Sequence, residues 1–262
     1  MTVKTLLVAQ FTRMYAKQIV LSSMFFCILL SPSHSLADTL RLAVASNFIS
    51  PIKQLAAKFE QETGHSLQLS FGSSGKFFAQ IKNNAPYDIF LSADLTKPQI
   101  LIKEQLALPG SLIIYAKGQL ALWSIKPIPE IPLKDAILRA KRIAIANPKL
   151  APYGKAAKES LRNLSIWDDV KNKIVQGENI GQTYQFVYSQ NAEIGLVALS
   201  QVLAGLKKGH FISVPDKLHG KINQAAVILT RTHNIELAKT FMAFIMRVDV
   251  QEEILQFGYS TE

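Results

Sequence analysis

Four short stretches place small or polar residues just ahead of segments that read as helices: "ASN" at Ser46, "GSSG" at Ser74, "NPKLAPYGK" around Tyr153 and "QGENIGQT" at Ile180. Their common chemistry is hydrogen-bond donation. Each helix start leaves backbone N–H groups without intrahelical partners and carries a partial positive charge. Four such starts turned into one cleft make a cage of donors that needs no formal positive charge. A cage of that kind suits a small, fully deprotonated oxyanion, because burying a dianion is tolerable only when several donors replace its lost hydration. A singly protonated anion such as hydrogen phosphate brings its own donor and wants an acceptor, usually a carboxylate. Apart from Glu178, none of the four stretches sets an Asp or Glu beside the key donors. The pattern leans toward molybdate, tungstate or sulfate over phosphate.

The elements that must position these stretches are strand-then-helix units. "TLRLAVA" (39–45) predicts a buried strand, followed by a helix with Ser50 as N-cap, Pro51 at its first position and Gly64 at its end. "SLQLSF" (66–71) alternates as a strand, and Phe77, Phe78 and Ile81 recur on one helical face after "GSSG". "YDIFLSA" (87–93) adds a third strand, with a helix over 97–104. Three such units in a row predict a parallel sheet flanked by helices. "GSLIIYAKGQLALWSI" (110–125) is too long for one ordinary strand and reads as a crossing between two lobes. The pattern then restarts, with strands at "RIAIAN", "KIVQG" and "EIGLVAL", until "INQAAVIL" (222–229) carries the chain back and two helices close it.

The expected fold is therefore α/β, with two lobes of mixed sheet flanked by helices and a ligand cleft between them. The lobes span 38–118 plus 222–262 and 119–221. In such sheets ligands bind at the carboxyl ends of the strands, where all four stretches fall.

The chain has 262 residues, 48% of them hydrophobic, and a formal charge of +10. Lys4, Arg13 and Lys17 precede the apolar run "IVLSSMFFCILL", and Ser35-Leu36-Ala37 fits a signal-peptidase site, so residues 1–37 read as a cleaved secretory signal. Its apolar core is too short for a good membrane span. Either Met1 or Met14 serves as the start. Removing this segment takes away three basic and no acidic residues, lowering the charge to +7. That surface suits an anion-handling protein, and equally a protein beside an anionic membrane or one with no special partner. Cys27, the only cysteine, lies inside the signal, so the mature chain is expected to carry no disulfide and no lipid anchor. No basic cluster interleaved with aromatics, and no zinc-finger spacing, points to nucleic acid.

Other chemistry-bearing residues read as structural. Asp88 and Asp94 suit loop capping. Trp123 and Trp167 suit the core or an interface, and His65, His210, His219 and His233 lack metal-ligand spacing. Ser73 or Ser74 at a strand-to-helix turn raises a secreted serine hydrolase, but G-S-S-G is not G-x-S-x-G and no Asp and His follow in triad fashion.

In "LAVASNF", "SFGSSGKFFAQI", "APYDIFLSAD", "IAIANPKLAPYGKAAKESL" and "EIGLVALSQ", the chain resembles the periplasmic molybdate-binding proteins of molybdate ABC transporters, over roughly 40–258 and in order. The resemblance implies a type II periplasmic-binding-protein fold, no enzymatic activity and no cofactor. It also implies a monomer that takes molybdate or tungstate, the metal held only as its oxyanion, to a membrane permease. It makes Ser46 and Ser74 double donors through N–H and hydroxyl, Tyr153 and Ile180 backbone N–H donors, and Asn47 a further donor. Some members carry a tyrosine after "GLV" whose hydroxyl completes the shell. Here Ala198 stands in its place, and Tyr153 or Asn47 is expected to replace that hydroxyl. The same fold serving sulfate or thiosulfate is the alternative.

Overall fold

The computed structural model describes residues 37–205 and 209–260. The secretory-signal reading, Cys27 included, lies outside the described residues except for Ala37.

Two five-stranded mixed sheets form the scaffold, each on the same plan. In the first, β1 (Thr39–Ala45) pairs in parallel with β2 (Ser66–Gly72) and with β3 (Ile89–Ser92). In the second, β6 (Ile143–Ala146) pairs in parallel with β7 (Ile174–Gly177) and β8 (Ile194–Ala198).

The long apolar stretch over 110–125 divides at Gln119. Its first part, β4 (Ile113–Gly118), belongs to the first sheet, and its second part, β5 (Leu120–Ser124), runs antiparallel to β8 in the second. An edge strand, β9 (His210–Ser213), pairs with β5. The chain returns through β10 (Ile222–Ile228), antiparallel to both β3 and β4. The orders are β2-β1-β3-β10-β4 and β7-β6-β8-β5-β9. All of this lies within one compact unit, Asp38–Glu262.

Helices cover both faces of each sheet, as strands buried on both sides require. On the first sheet, Leu42 and Val44 face α1 (Ile49–Thr63), while their neighbour Ala43 faces α2 (Ser74–Lys82) and α3 (Thr96–Lys103). On the second, Leu120 and Leu122 pack with α4 (Leu133–Arg139) and α5 (Pro152–Asn163), followed by the short α6 (Trp167–Val170). Ala121 and Trp123 face α7 (Ile180–Tyr188) and α8 (Leu199–Ala204). Two terminal helices, α9 (Ile235–Ile245) and α10 (Val248–Gln256), complete the first core with Phe241, Phe244 and Ile254. Each fully buried side chain of this size contributes about 1.5–3 kcal/mol.

Most boundaries shift by a residue or two, and the start of the first helix differs in kind. A 3₁₀ turn over Ser46–Phe48 runs straight into α1, so the helix begins at Ile49 and Ser50 is not its cap. Phe48 is fully buried, and anchoring it in the core draws the helix start forward. Pro51 still fits, because the first-turn N–H it lacks has no intrahelical acceptor. Gly64 ends the helix as expected, in the left-handed region at φ 72°.

Candidate functional site

Each of the four stretches is built by a strand that stops and a helix that starts. After β1 the chain turns at Ser46, and after β2 it turns at Ser73, whose hydroxyl caps α2 by accepting from the Lys76 N–H at 3.3 Å. After β6 an Asn147 turn intervenes: its side-chain oxygen accepts from Lys149 N–H at 3.0 Å, its carbonyl accepts from Ala151 N–H at 2.8 Å, and Pro152 opens α5. After β7, Asn179 caps α7 by accepting from Gln182 N–H at 3.0 Å. No carbonyl among the described residues takes the N–H of Ser46, Ser74, Tyr153 or Ile180.

These four starts converge. Ser46, Asn47, Ser74, Tyr153 and Ile180 line one hollow of about 10 Å³. Ala45, Gly72, Ala93, Ala151 and Pro152, which the sequence does not single out, complete its wall together with Ser73, raised there only as a nucleophile. Space on that scale admits one small species. No charged side chain lines it, and Glu178 is exposed and absent from the wall.

The two sheets meet closely around this hollow. The Gly75 N–H donates across them to the Leu150 carbonyl at 2.8 Å, and a Cβ on Gly75 would sit 2.8 Å from Leu150 Cα. A Cβ on Gly181, in the first turn of α7, would come 3.3 Å from Ser46 Cβ. Lacking a side chain, these two helix starts come within van der Waals reach of the opposite wall.

The hydroxyls differ in what they have left to offer. Ser74 is fully buried and its Oγ accepts from the Ala93 N–H at 2.9 Å, so its own hydrogen remains for another acceptor. The Ser46 hydroxyl already donates to the Gly72 carbonyl at 2.9 Å, which departs from the double-donor expectation. Asn47 departs too. Its amide donates to Gln224 Oε1 at 2.7 Å and to the Tyr259 hydroxyl at 2.9 Å, using both hydrogens. Its main-chain carbonyl accepts from Ser200 Oγ and from the Tyr259 hydroxyl, both at 2.9 Å. Ser200, Gln224 and Tyr259 thus hold Asn47 from behind, and its side chain has no donor left for the hollow.

The Tyr153 ring runs from the wall toward the crossing strands, where a Cβ on Gly118 would lie 2.1 Å from its hydroxyl. Burial, aided by the neighbouring Tyr259 and Tyr115, pushes this phenol well above its ordinary range, so it stays neutral. Burial likewise raises Tyr259, against its hydrogen bonds to Ser200 and with Asn47, which pull the other way. Ala198 is fully buried at the end of β8, with its N–H on Gln201 Oε1 at 3.2 Å.

The residues read as structural behave as such. Asp88 accepts from Arg41 N–H at 2.7 Å, and Asp94 accepts from Lys97 N–H at 2.9 Å and pairs with its ammonium. Trp123 stacks on Tyr184 in the core, ring centres 4.4 Å apart. Neither Ser73 nor Ser74 hydrogen-bonds a histidine, and no group of three or more metal-ligating side chains occurs among the described residues.

Comparison with known proteins agrees with this architecture. The family model for bacterial extracellular solute-binding proteins matches residues 40–260. The molybdate-binding protein ModA of Azotobacter vinelandii is 42% identical over 231 residues, covering 86% of this chain and 91% of that protein. ModA of Rhodobacter capsulatus is 40% identical over 222 residues, covering 84% and 87%. The solved Azotobacter vinelandii periplasmic molybdate-binding protein superposes with a TM-score of 0.81 at 36% identity, covering 85% of this chain and 99% of that one. A sulfate-binding protein of Mycobacterium tuberculosis, at 13% identity and TM-score 0.72, shares the fold alone. These relatives bind rather than catalyse, which removes the hydrolase reading. No helix among the described residues is long and apolar enough to cross a membrane. The chain belongs to the bacterial extracellular solute-binding proteins, and its resemblance to the periplasmic molybdate-binding proteins holds over most of its length.

Proposed function

We propose that this protein captures molybdate, and tungstate with it, in the periplasm and hands it to the permease of an ABC transporter. The observation that carries the reading is the hollow: four strand-to-helix junctions from two sheets line one small space free of charged side chains. Neutral donors without a carboxylate favour a fully deprotonated dianion and disfavour a protonated phosphate, whose O–H would go unmatched. Pockets for drug-sized organic ligands run to about 300–1,000 Å³.

In this reading the donors are the N–H groups of Ser46, Asn47, Ser74, Tyr153 and Ile180 with the Ser74 hydroxyl, which also stands in for the hydroxyl missing at Ala198. The lobes are 38–118 plus 222–262 and 119–221, hinged where β4 passes into β5 and where the chain enters β10. Closure around the anion is favoured because only the closed form supplies every donor. The protein acts as a monomer, exported by its cleaved leader without a lipid anchor.

The test is thermal unfolding of residues 38–262 with molybdate, tungstate, sulfate or phosphate. Ligand at about 1,000 times its Kd adds roughly 4 kcal/mol of stability. The midpoint is expected to rise with molybdate and tungstate. A rise with sulfate alone replaces the cargo but keeps the cage, and no rise with any of the four removes the reading.

A further inference from the structure

A second hollow, of about 300 Å³, lies against the first and shares Ala93, Ala151 and Pro152 with it. Ten of the eleven residues lining the small hollow are buried; the exception is Pro152, one of the three that are shared. The least buried residue of the small hollow's wall is thus one that the two hollows have in common. The larger hollow also straddles the seam between the sheets. Its wall draws on residues 94–97, 148–152 and 220–223, and includes Leu150, the acceptor of the Gly75 N–H.

Its charge is uneven. Lys97, Lys149, Lys155 and Lys221 line it against only Asp94 and Glu159. Lys97 pairs with Asp94, and Lys155 lies 3.8 Å from Glu159, which also accepts from the Gly220 N–H at 3.0 Å. Lys149 and Lys221 are exposed and form no ion pair among the described residues. Two uncompensated positive charges thus stand beside a cavity that has none of its own. Neutral donors hold an anion at contact but exert little pull at a distance, whereas like charges at the rim of a concave surface focus the field and raise the encounter rate.

We propose that this lysine-lined hollow is the entry port for the oxyanion, with Lys149 and Lys221 steering it toward the cage; the proposal rests on the oxyanion reading above. Steering acts on association and is screened by salt, while dissociation is governed by the cage.

The experiment is rapid mixing of residues 38–262 with molybdate, followed by tyrosine and tryptophan fluorescence from low to high salt. The wild type is compared with Lys149→Gln/Lys221→Gln and with Lys103→Gln/Lys134→Gln, which removes the same charge from residues lining neither hollow. At low salt the first variant is expected to associate about threefold to tenfold more slowly, with a flatter salt dependence and an unchanged dissociation rate. The second is expected to stay within about twofold of wild type. Equal slowing in both variants, an unchanged association rate in the first, or faster dissociation with unchanged association overturns the port while leaving the cage in place. A wild type that binds no oxyanion overturns the cage itself, and the port with it.

Discussion

In the first sheet the turns after β1 and β2 bring serines to the cavity, Ser46 and Ser74. In the second, the corresponding turns after β6 and β7 bring Tyr153 and Ile180; the Tyr153 hydroxyl is buried beside Gly118 without a hydrogen-bond partner, and Ile180 has none. The third turn of each sheet ends in alanine, Ala93 after β3 and Ala198 closing β8. In the proposed function, two halves built on one strand order thus meet the anion with different chemistry. The first combines backbone with side-chain donors, and the second presents backbone alone. The first half can therefore be weakened by truncating a side chain, whereas the second is sensitive only to changes of the backbone.

The largest expected effect lies in the first half. Ser74 is fully buried, and its hydroxyl hydrogen is uncommitted because its oxygen already accepts from Ala93 N–H. Ser74→Ala removes a donor to a charged acceptor and is expected to weaken molybdate binding by about 2 kcal/mol. The Ala93 N–H loses its partner at the same time, lowering folding stability by about 1 kcal/mol. Titration calorimetry reads the first and urea unfolding of the ligand-free protein the second. Unchanged affinity in this variant breaks the contrast between the halves, because the first would then also work by backbone alone.

In the second half the corresponding experiment needs proline. Ile180 is the first residue of α7, where proline is well accommodated, and Asn179 before it is extended at φ −145° and ψ 172°, the conformation a following proline prefers. Ile180→Pro deletes the N–H and leaves the helix in place. Affinity is expected to fall by about 1.5 kcal/mol, while Ile180→Val, which keeps the N–H, shifts it by less than about 0.5 kcal/mol. If the valine variant loses as much as the proline variant, the Ile180 side chain is shaping the cavity and the backbone-only description of this half fails.

The strands were legible in the sequence because each is a short apolar or alternating run. "TLRLAVA" forms β1 residue for residue, and "INQAAVIL" ends only one residue beyond β10. The crossing was legible from length alone, since sixteen residues between Gly110 and Ile125 exceed one strand. The junctions were legible because donors at helix starts are a property of local order. Contacts made at long range were not. Asn47 reads as a donor in "ASN", but its amide is taken by Gln224 and Tyr259, 177 and 212 residues away. Nothing near Gly258 in the sequence marks Tyr259 as a partner of the site. β9 was missed because "HFIS" is an exposed edge strand with little apolar alternation, and α8 because six residues carry too short a period to read.

Ser46 sharpens the comparison within the first half, and its expected effect on binding is the smallest. Its hydroxyl donates to the Gly72 carbonyl at 2.9 Å, joining the turn after β1 to the end of β2. For that hydrogen to reach an anion, the bond to Gly72 must break, so the gain and the loss nearly cancel. Ser46→Ala keeps the N–H and leaves the Gly72 carbonyl without its serine partner, so the cost falls on the fold. Stability is expected to drop by about 1 kcal/mol, while affinity changes by no more than about 0.5 kcal/mol. The two serines thus divide their effects in opposite ways: Ser74→Ala mainly weakens the complex, and Ser46→Ala mainly weakens the ligand-free protein. Measuring both variants by calorimetry and urea unfolding separates a serine that binds from one that braces the turn beside it. An affinity loss at Ser46 as large as that at Ser74 would mean that the hydroxyl leaves Gly72 when the anion arrives, making both serines side-chain donors.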